Sequence, residues 1–242
     1  MIDDEKCIQF RPIGYIASCF KQKFGTPRQP GLVKQATAKL TLLPEYSHPD
    51  IIRGLDQYSH VWILFVFHKS IQKKLKNTVR PPRLGGNERM GVFATRSNFR
   101  PNPIGQSVVT LDKIECFSDQ IDLHLSGIDI LDGTPVVDIK PYLPYADIVD
   151  KATSGFANTA PETLFNVTFS DKSNIEISKY FNESNIDLKQ IITEMLATDP
   201  RPAHLQGGVD QKEYRFRLYN FDVSWYIDGN RIIVSEMSNC DA

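Results

Sequence analysis

The chain has 242 residues, a hydrophobic fraction of 41% and a formal net charge of −1, which suits one large domain or two smaller ones. A net charge so close to zero excludes global attraction to nucleic acid or membrane, so any polyanion must meet a local patch. The four cysteines, Cys7, Cys19, Cys116 and Cys240, form no CxxC pair, which argues against a zinc site or a disulfide framework and suits a reducing cytosol.

The opening stretch, MIDDEKCIQF, is acidic and lacks the basic-then-apolar plan of a signal peptide. No apolar run approaches the length that crosses a bilayer. A cytoplasmic protein without a membrane partner is therefore expected. Residues 13–20 read as a short apolar strand. Residues 32–42 alternate, with Leu32, Ala36, Ala38, Leu40 and Leu42 on one face and Lys34 as a blemish. Residues 49–55 resemble a short helix. Residues 61–67 are continuously apolar, like a strand buried on both faces. From Lys69 to Arg89, seven basic residues (Lys69, Lys73, Lys74, Lys76, Arg80, Arg83 and Arg89) stand against one acid, Glu88. Such a run is either a phosphate-attracting patch or a solvated face.

The segment Arg96-Ser97-Asn98-Phe99-Arg100-Pro101-Asn102-Pro103-Ile104-Gly105 is a poor helix and a poor central strand. Each proline lacks an amide proton and pushes the residue before it toward extended geometry. Gly105 permits a turn or a close backbone approach. A stiff loop that presents arginine forks and asparagine amides has the inventory of a binding surface. Phe99 reads as a core anchor, and Ser97 as a partner for neighbouring backbone.

Residues 107–114 are strand-like. Ile121, Leu123 and Leu125 alternate with Asp122, His124 and Ser126, a half-buried strand. Asp132-Gly133 is a turn signal, and Asp138-Ile139-Lys140-Pro141-Tyr142 carries an acid–base pair. Residues 141–163 change texture, being rich in Pro, Ala, Thr and Gly. Residues 164–169 read as a strand. Leu188, Ile191, Ile192, Met195 and Leu196 form one helical stripe, with Asn185 as its N-cap and Asp199-Pro200 as its stop. Residues 214–227 and 231–234 read as strands around an Asp228-Gly229-Asn230 turn. Strands with few helices point to a barrel or sandwich. A mainly β chain is expected, with an N-terminal β-barrel in 1–150 and a smaller α+β domain in 151–242, each with its own core. The five histidines show no metal spacing, so no metal is expected. His68 ends the apolar strand and either lines a site or is a satisfied edge residue. There is no G-x-S-x-G, Walker loop or early G-x-G-x-x-G, which disfavours Rossmann-type cofactor binding.

Pro27-Arg28-Gln29-Pro30-Gly31, His60-Val61-Trp62, the run from Gly91-Val92-Phe93-Ala94-Thr95 through Gly105, and Asp138 to Tyr142 resemble, in order and spacing, the TsaA-like family. That family comprises β-barrel S-adenosylmethionine-dependent tRNA methyltransferases. The likeness spans roughly residues 8–146. Asp199-Pro200-Arg201-Pro202-Ala203 resembles the marker of the extra C-terminal domain of bacterial members. The chain departs from the pattern at Gln106, where an apolar residue is common.

The resemblance implies N6-methylation of threonylcarbamoyladenosine next to the anticodon of threonine tRNA, with S-adenosyl-L-methionine as methyl donor and commonly a homodimer. It places Pro27, Arg28, Gln29, His68, Lys69, Arg96, Gln106, Ile130, Leu131, Asp132 and Gly133 against the cofactor. Asn98, Arg100, Asn102 and Lys140 then serve the modified base, and Arg201 reaches RNA. Arg28 or Arg96 suits the cofactor's carboxylate, and Arg96 or Arg100 the threonyl carboxylate. A general base remains open among a side chain, a water and the substrate's own carboxylate. Two alternatives stand beside this reading. One is the same barrel methylating a small molecule. The other is a non-enzymatic cofactor-sensing or RNA-binding module.

Overall fold

The computed structural model describes residues 8–71, 74, 76–202, 205, 206, 210 and 212–240. Cys7, Lys73 and Ala203 lie outside the described residues. Cys19, Cys116 and Cys240 are free thiols.

Six strands close a barrel: β1 (Gly14–Ser18), β2 (Thr37–Leu42), β3 (His60–Val66), β6 (Ile104–Cys116), β7 (Ile121–Ser126) and β8 (Pro135–Pro141), in the spatial order β1-β2-β7-β6-β3-β8. The closing contacts are antiparallel, β8 pairing with both β1 and β3. Closure leaves no edge strand to be protected. The interior follows from period-two alternation: Ala38, Leu40 and Leu42 of β2 and Ile121, Leu123 and Leu125 of β7 are all buried.

Several sequence expectations shift here. Residues 32–36 are loop, not strand, because Gly31 takes a left-handed φ of 75° and its N–H bonds the Gly127 carbonyl. β3 is buried on one face only, through Val61, Ile63 and Phe65. Its outer apolar residues are half-buried, Trp62 tilting against Tyr142 at 6.0 Å between ring centres. The expected helix at 49–55 is a pair of 3-10 turns, Pro49–Ile52 and Leu55–Gln57. β8 was not anticipated, because Pro135, Asp138, Lys140 and Pro141 obscure its alternation. A short hairpin, β4 (Thr78–Val79) with β5 (Met90–Gly91), stands on the barrel rim, and α1 (Pro144–Asp147) follows β8.

The second unit is a sheet of order β10-β11-β12-β9 with two helices: β9 (Asn166–Phe169), α2 (Asp171–Ser184), α3 (Leu188–Ala197), β10 (Tyr214–Leu218), β11 (Phe221–Asp228) and β12 (Arg231–Asn239). All five residues of the expected stripe on α3 are buried. The N-cap is Asp187, whose carboxylate accepts the Gln190 N–H. Asn185 instead ends α2, in the left-handed conformation at φ 58°. α2 itself escaped the sequence reading because only Ser173 and Ile177 of its residues are buried, too few for a stripe.

The two units share one continuous core. The connection from β1 to β2 is the bridge. Phe20 pairs with Leu218, the Tyr219 N–H donates to the Cys19 carbonyl at 2.8 Å, and Phe24 stacks on Trp225 with an interplanar angle of 5°. Gly25, at φ 85°, fits under the second unit; a Cβ there would sit 3.2 Å from Met195 and 3.3 Å from Phe216. The expectation of two separate cores is therefore corrected.

Candidate functional site

A cavity of about 2300 Å³ opens between the barrel rim and the second unit. On the barrel side its walls are the β1–β2 connection, the end of β3, the β4–β5 hairpin and the central loop. On the other side they are Ser154, residues 156–162, Leu164, Glu194, Met195, residues 198–200 and Gln206. Among the described residues, nine cationic side chains line it (Lys23, Arg28, Lys69, Lys76, Arg80, Arg83, Arg89, Arg96 and Arg100) against the acids Asp129, Glu162, Glu194 and Asp199. A near-neutral protein thus concentrates positive charge in one concave surface, where it attracts a polyanion.

The central loop is built to hold its shape. Ser97 accepts the Phe99 N–H at 3.1 Å, and its own N–H donates to the Thr95 hydroxyl. Arg100 donates through Nη1 to the Thr95 carbonyl at 2.7 Å and to that of Ser97 at 3.3 Å. Asn98 donates to Ser70 Oγ at 2.6 Å, which also receives Lys23. Arg96 reaches Gln29 Oε1 at 2.6 Å and so joins the central loop to the Pro27-Arg28-Gln29 turn. Gly105 allows the close approach expected of it, since a Cβ would lie 2.4 Å from the Phe65 ring. Phe99 is not a core anchor: it is half-buried, with Lys76 Nζ 4.6 Å from its ring centre.

Eight of the eleven residues expected at the cofactor line this cavity: Pro27, Arg28, Gln29, His68, Lys69, Arg96, Gln106 and Leu131. Three do not. Ile130 is buried in the core. Asp132 accepts the Ser18 N–H at 2.8 Å and pairs with Lys21 at 3.0 Å, a structural tie. The N–H groups of Asp132 and Gly133 bond the carbonyls of Phe20 and Ile16, which makes this a turn between barrel strands. Of the residues expected at the modified base, Asn98 and Arg100 line the cavity. Asn102 and Lys140 are exposed outside it, and Lys140 pairs with Asp138 at 2.8 Å.

Arg201 does not reach outward. It is fully buried, donating through Nε and Nη2 to Asp199 at 2.8 Å each, with Asp210 at 3.4 Å. Its proline-flanked position presented an arginine to the interior. Its carbonyl accepts Arg28 Nη2 at 3.5 Å, and Asp199 itself lines the cavity, so the buried pair borders the cavity without presenting the Arg201 guanidinium to it.

Sequence reasoning missed Asp129 and Phe93. Asp129 lines the cavity and accepts Ser107 Oγ at 2.5 Å. Burial raises its carboxyl pKa to about 6, with Ser107 and the Arg96 charge pulling the other way. An acid set between Ile128 and Ile130 was the available signal. His68 is pushed below its ordinary pKa, first by burial and then by the charges of Lys69 and Lys23. The donor set fits a cofactor carrying a carboxylate and a cationic sulfonium: Arg28 and Arg96 suit the first, and Asp129 offers the second a counter-charge. Among the described residues no group of three or more metal-ligating side chains occurs, and no helix is long and apolar enough to cross a membrane.

Residues 15–148 match the family described as the tRNA-methyltransferase O N-terminal domain, and residues 162–240 its C-terminal domain. The chain is 48% identical over 222 residues to a tRNA (adenine(37)-N6)-methyltransferase of Escherichia coli strain K12, covering 90% of this chain and 93% of that protein. It is 47% identical to a putative S-adenosylmethionine-dependent methyltransferase, RcsF, of Pseudomonas aeruginosa, covering 89% and 90%. A crystal structure of TrmO from Pseudomonas aeruginosa superposes with a TM-score of 0.80 at 38% identity, covering 98% of this chain and all of that one.

Proposed function

We propose that this chain, which belongs to the tRNA-methyltransferase O family of S-adenosylmethionine-dependent tRNA adenine(37)-N6-methyltransferases, acts on threonylcarbamoyladenosine next to the anticodon of threonine tRNA. The observation that carries this reading is the cationic cavity at the barrel rim, joined through the Arg96–Gln29 bond to the turn expected at the cofactor.

When bound, S-adenosylmethionine supplies an electrophilic methyl group on a sulfonium. The protein's part is positioning, because displacement at a methyl carbon needs in-line approach. Arg28 or Arg96 would hold the cofactor carboxylate, His68, Lys69, Gln29, Pro27 and Gln106 would border the cofactor, and Asp129 would offer a counter-charge to its sulfonium. Within residues 130–133 the N–H groups of Asp132 and Gly133 bond barrel carbonyls and the Leu131 carbonyl accepts Thr134, so the expected backbone role falls to Ile130 and the Leu131 N–H. Asn98 and the Arg100 guanidinium orient the modified base, the guanidinium matching the threonyl carboxylate. A role for Asn102 and Lys140 requires a second copy to bring them to a cavity, and the homodimer is proposed on that condition. The second unit, residues 151–242, contributes a wall of the cavity and with it a contact for tRNA in the cytoplasm.

Labelled S-adenosylmethionine mixed with total tRNA from a strain lacking the modification tests the reading. Label is expected in threonine tRNA, as the N6-methylated nucleoside on digestion. Cofactor binding without transfer would mean a sensing module, and label confined to small molecules another substrate.

A further inference from the structure

We propose that Phe93, backed by the Arg100 guanidinium, is a stacking platform for an unpaired nucleobase of the tRNA anticodon loop. The inference rests on the tRNA reading above and adds a contact to it. Phe93 lines the cavity, yet 78% of its surface is exposed. The exposure is imposed by a pinned turn. Its neighbour Val92 is buried, donates its N–H to the Asn77 carbonyl at 3.0 Å, and accepts the Thr95 hydroxyl at 2.9 Å. The smaller apolar residue faces inward and the larger faces water. Folding alone favours burying the phenyl ring, which has more apolar area to remove from water.

Arg100 lies 6.0 Å from the ring centre, and its Nη1 is already held by the Thr95 and Ser97 carbonyls. The guanidinium is therefore held in place before any ligand arrives, and the pinned turn sets the ring beside it. Arg80, Arg83, Arg89 and Arg96 line the same cavity. An aromatic face among phosphate-attracting charges is the surface that binds single-stranded RNA, whose splayed bases stack on aromatic rings and arginine planes. A second copy presenting the same face would bring like charges together, so RNA is the better occupant.

The test uses the full chain and a threonine tRNA anticodon stem-loop. Phe93→Ala is expected to raise the Kd for the stem-loop by about 5-fold to 150-fold, the range that one base stack is worth. Affinity for S-adenosylmethionine and the oligomeric state should not change. Phe93→Trp should restore binding, and its indole emission should be quenched by the stem-loop beyond any change in the wild type. Wild-type RNA affinity in Phe93→Ala would overturn the proposal. A parallel loss of cofactor affinity would also overturn it, by placing the ring against the cofactor's adenine, and a shift in oligomeric state would assign the ring to self-association. A single-stranded oligoadenylate separates this inference from the substrate reading. Quenching without methyl transfer to any tRNA would remove the substrate and leave the platform, whereas transfer without quenching would remove the platform alone.

Discussion

Arg96 shows how one side chain links two segments that lie far apart in sequence. Its bond to Gln29 crosses from the central loop to the β1–β2 connection, yet the residue is exposed and has little core area to lose. Arg96→Ala should therefore weaken cofactor binding by about 1.5–3 kcal/mol, the worth of a charge-assisted hydrogen bond, without lowering Tm. Calorimetry beside a melting curve checks both halves, and unchanged affinity would refute the assignment. Asp129 presents the opposite balance. Its pKa is raised from 3.8 to about 6 by burial, so the folded chain binds this proton more tightly than the unfolded chain does. Stability should then rise as pH falls from about 6 toward 4, and above pH 6 the charged carboxylate costs up to roughly 3 kcal/mol. Asp129→Asn keeps an acceptor for Ser107 and removes the charge. It should be more stable than the wild type at pH 8, the gain vanishing near pH 4, while cofactor affinity falls. Urea titrations at the two pH values would show it; equal stability at both would mean that the carboxylate is well solvated. A destabilising charge kept in a cavity marks a residue retained for binding.

At the scale of elements, the basic run resolves into a rim. Lys76, Arg80, Arg83 and Arg89 line the cavity from the β4–β5 hairpin and its flanks, and Arg83 donates to the Thr159 carbonyl across it. Removing Lys74, Lys76 and Arg80 together should flatten the salt dependence of tRNA binding by about 0.7–0.9 in slope for each phosphate left without its cation. Free cofactor affinity should hold. An unchanged slope would return the run to a solvated face. Elements were legible where one physical rule dominated: β2, β7 and α3 show clean alternation or a clean stripe. β8 and α2 were hidden, because prolines and a charged pair interrupt the first and the second buries too few residues. The central loop was legible as a binding surface from its stiffness and donors. The fate of Arg201 was not, since proline-flanked arginine reads the same whether its carboxylate partners lie in solvent or in the core. The cation that sequence alone sends to RNA instead forms a buried pair with Asp199.

At the scale of the whole molecule, the shared core decides what each unit can do alone. The texture change after Pro141 led to the expectation that residues 1–150 form a barrel with a core of its own. The β1–β2 connection argues otherwise, because it carries Pro27, Arg28 and Gln29 and is held largely by the second unit. Phe24 stacks on Trp225, Thr37 bonds the Tyr219 hydroxyl at 2.8 Å, the Lys34 N–H donates to Glu194 at 2.9 Å, and Arg28 touches the Arg201 carbonyl. Truncation after residue 150 strips cover from Phe20, which is buried in the full chain and pairs with Leu218. It exposes a contiguous apolar face of the kind that drives aggregation. The fragment should therefore be insoluble, or, if kept soluble by a fused partner, should bind S-adenosylmethionine far more weakly than the full chain. Gel filtration and calorimetry on the fragment test this. A monomeric fragment with full cofactor affinity would mean that the connection holds its own shape and that the second unit serves RNA alone. Loss of cofactor binding in a folded fragment would mean that the second unit builds the cofactor site, because the turn at Arg28 keeps its geometry only while the sheet of β10, β11 and β12 stands behind it.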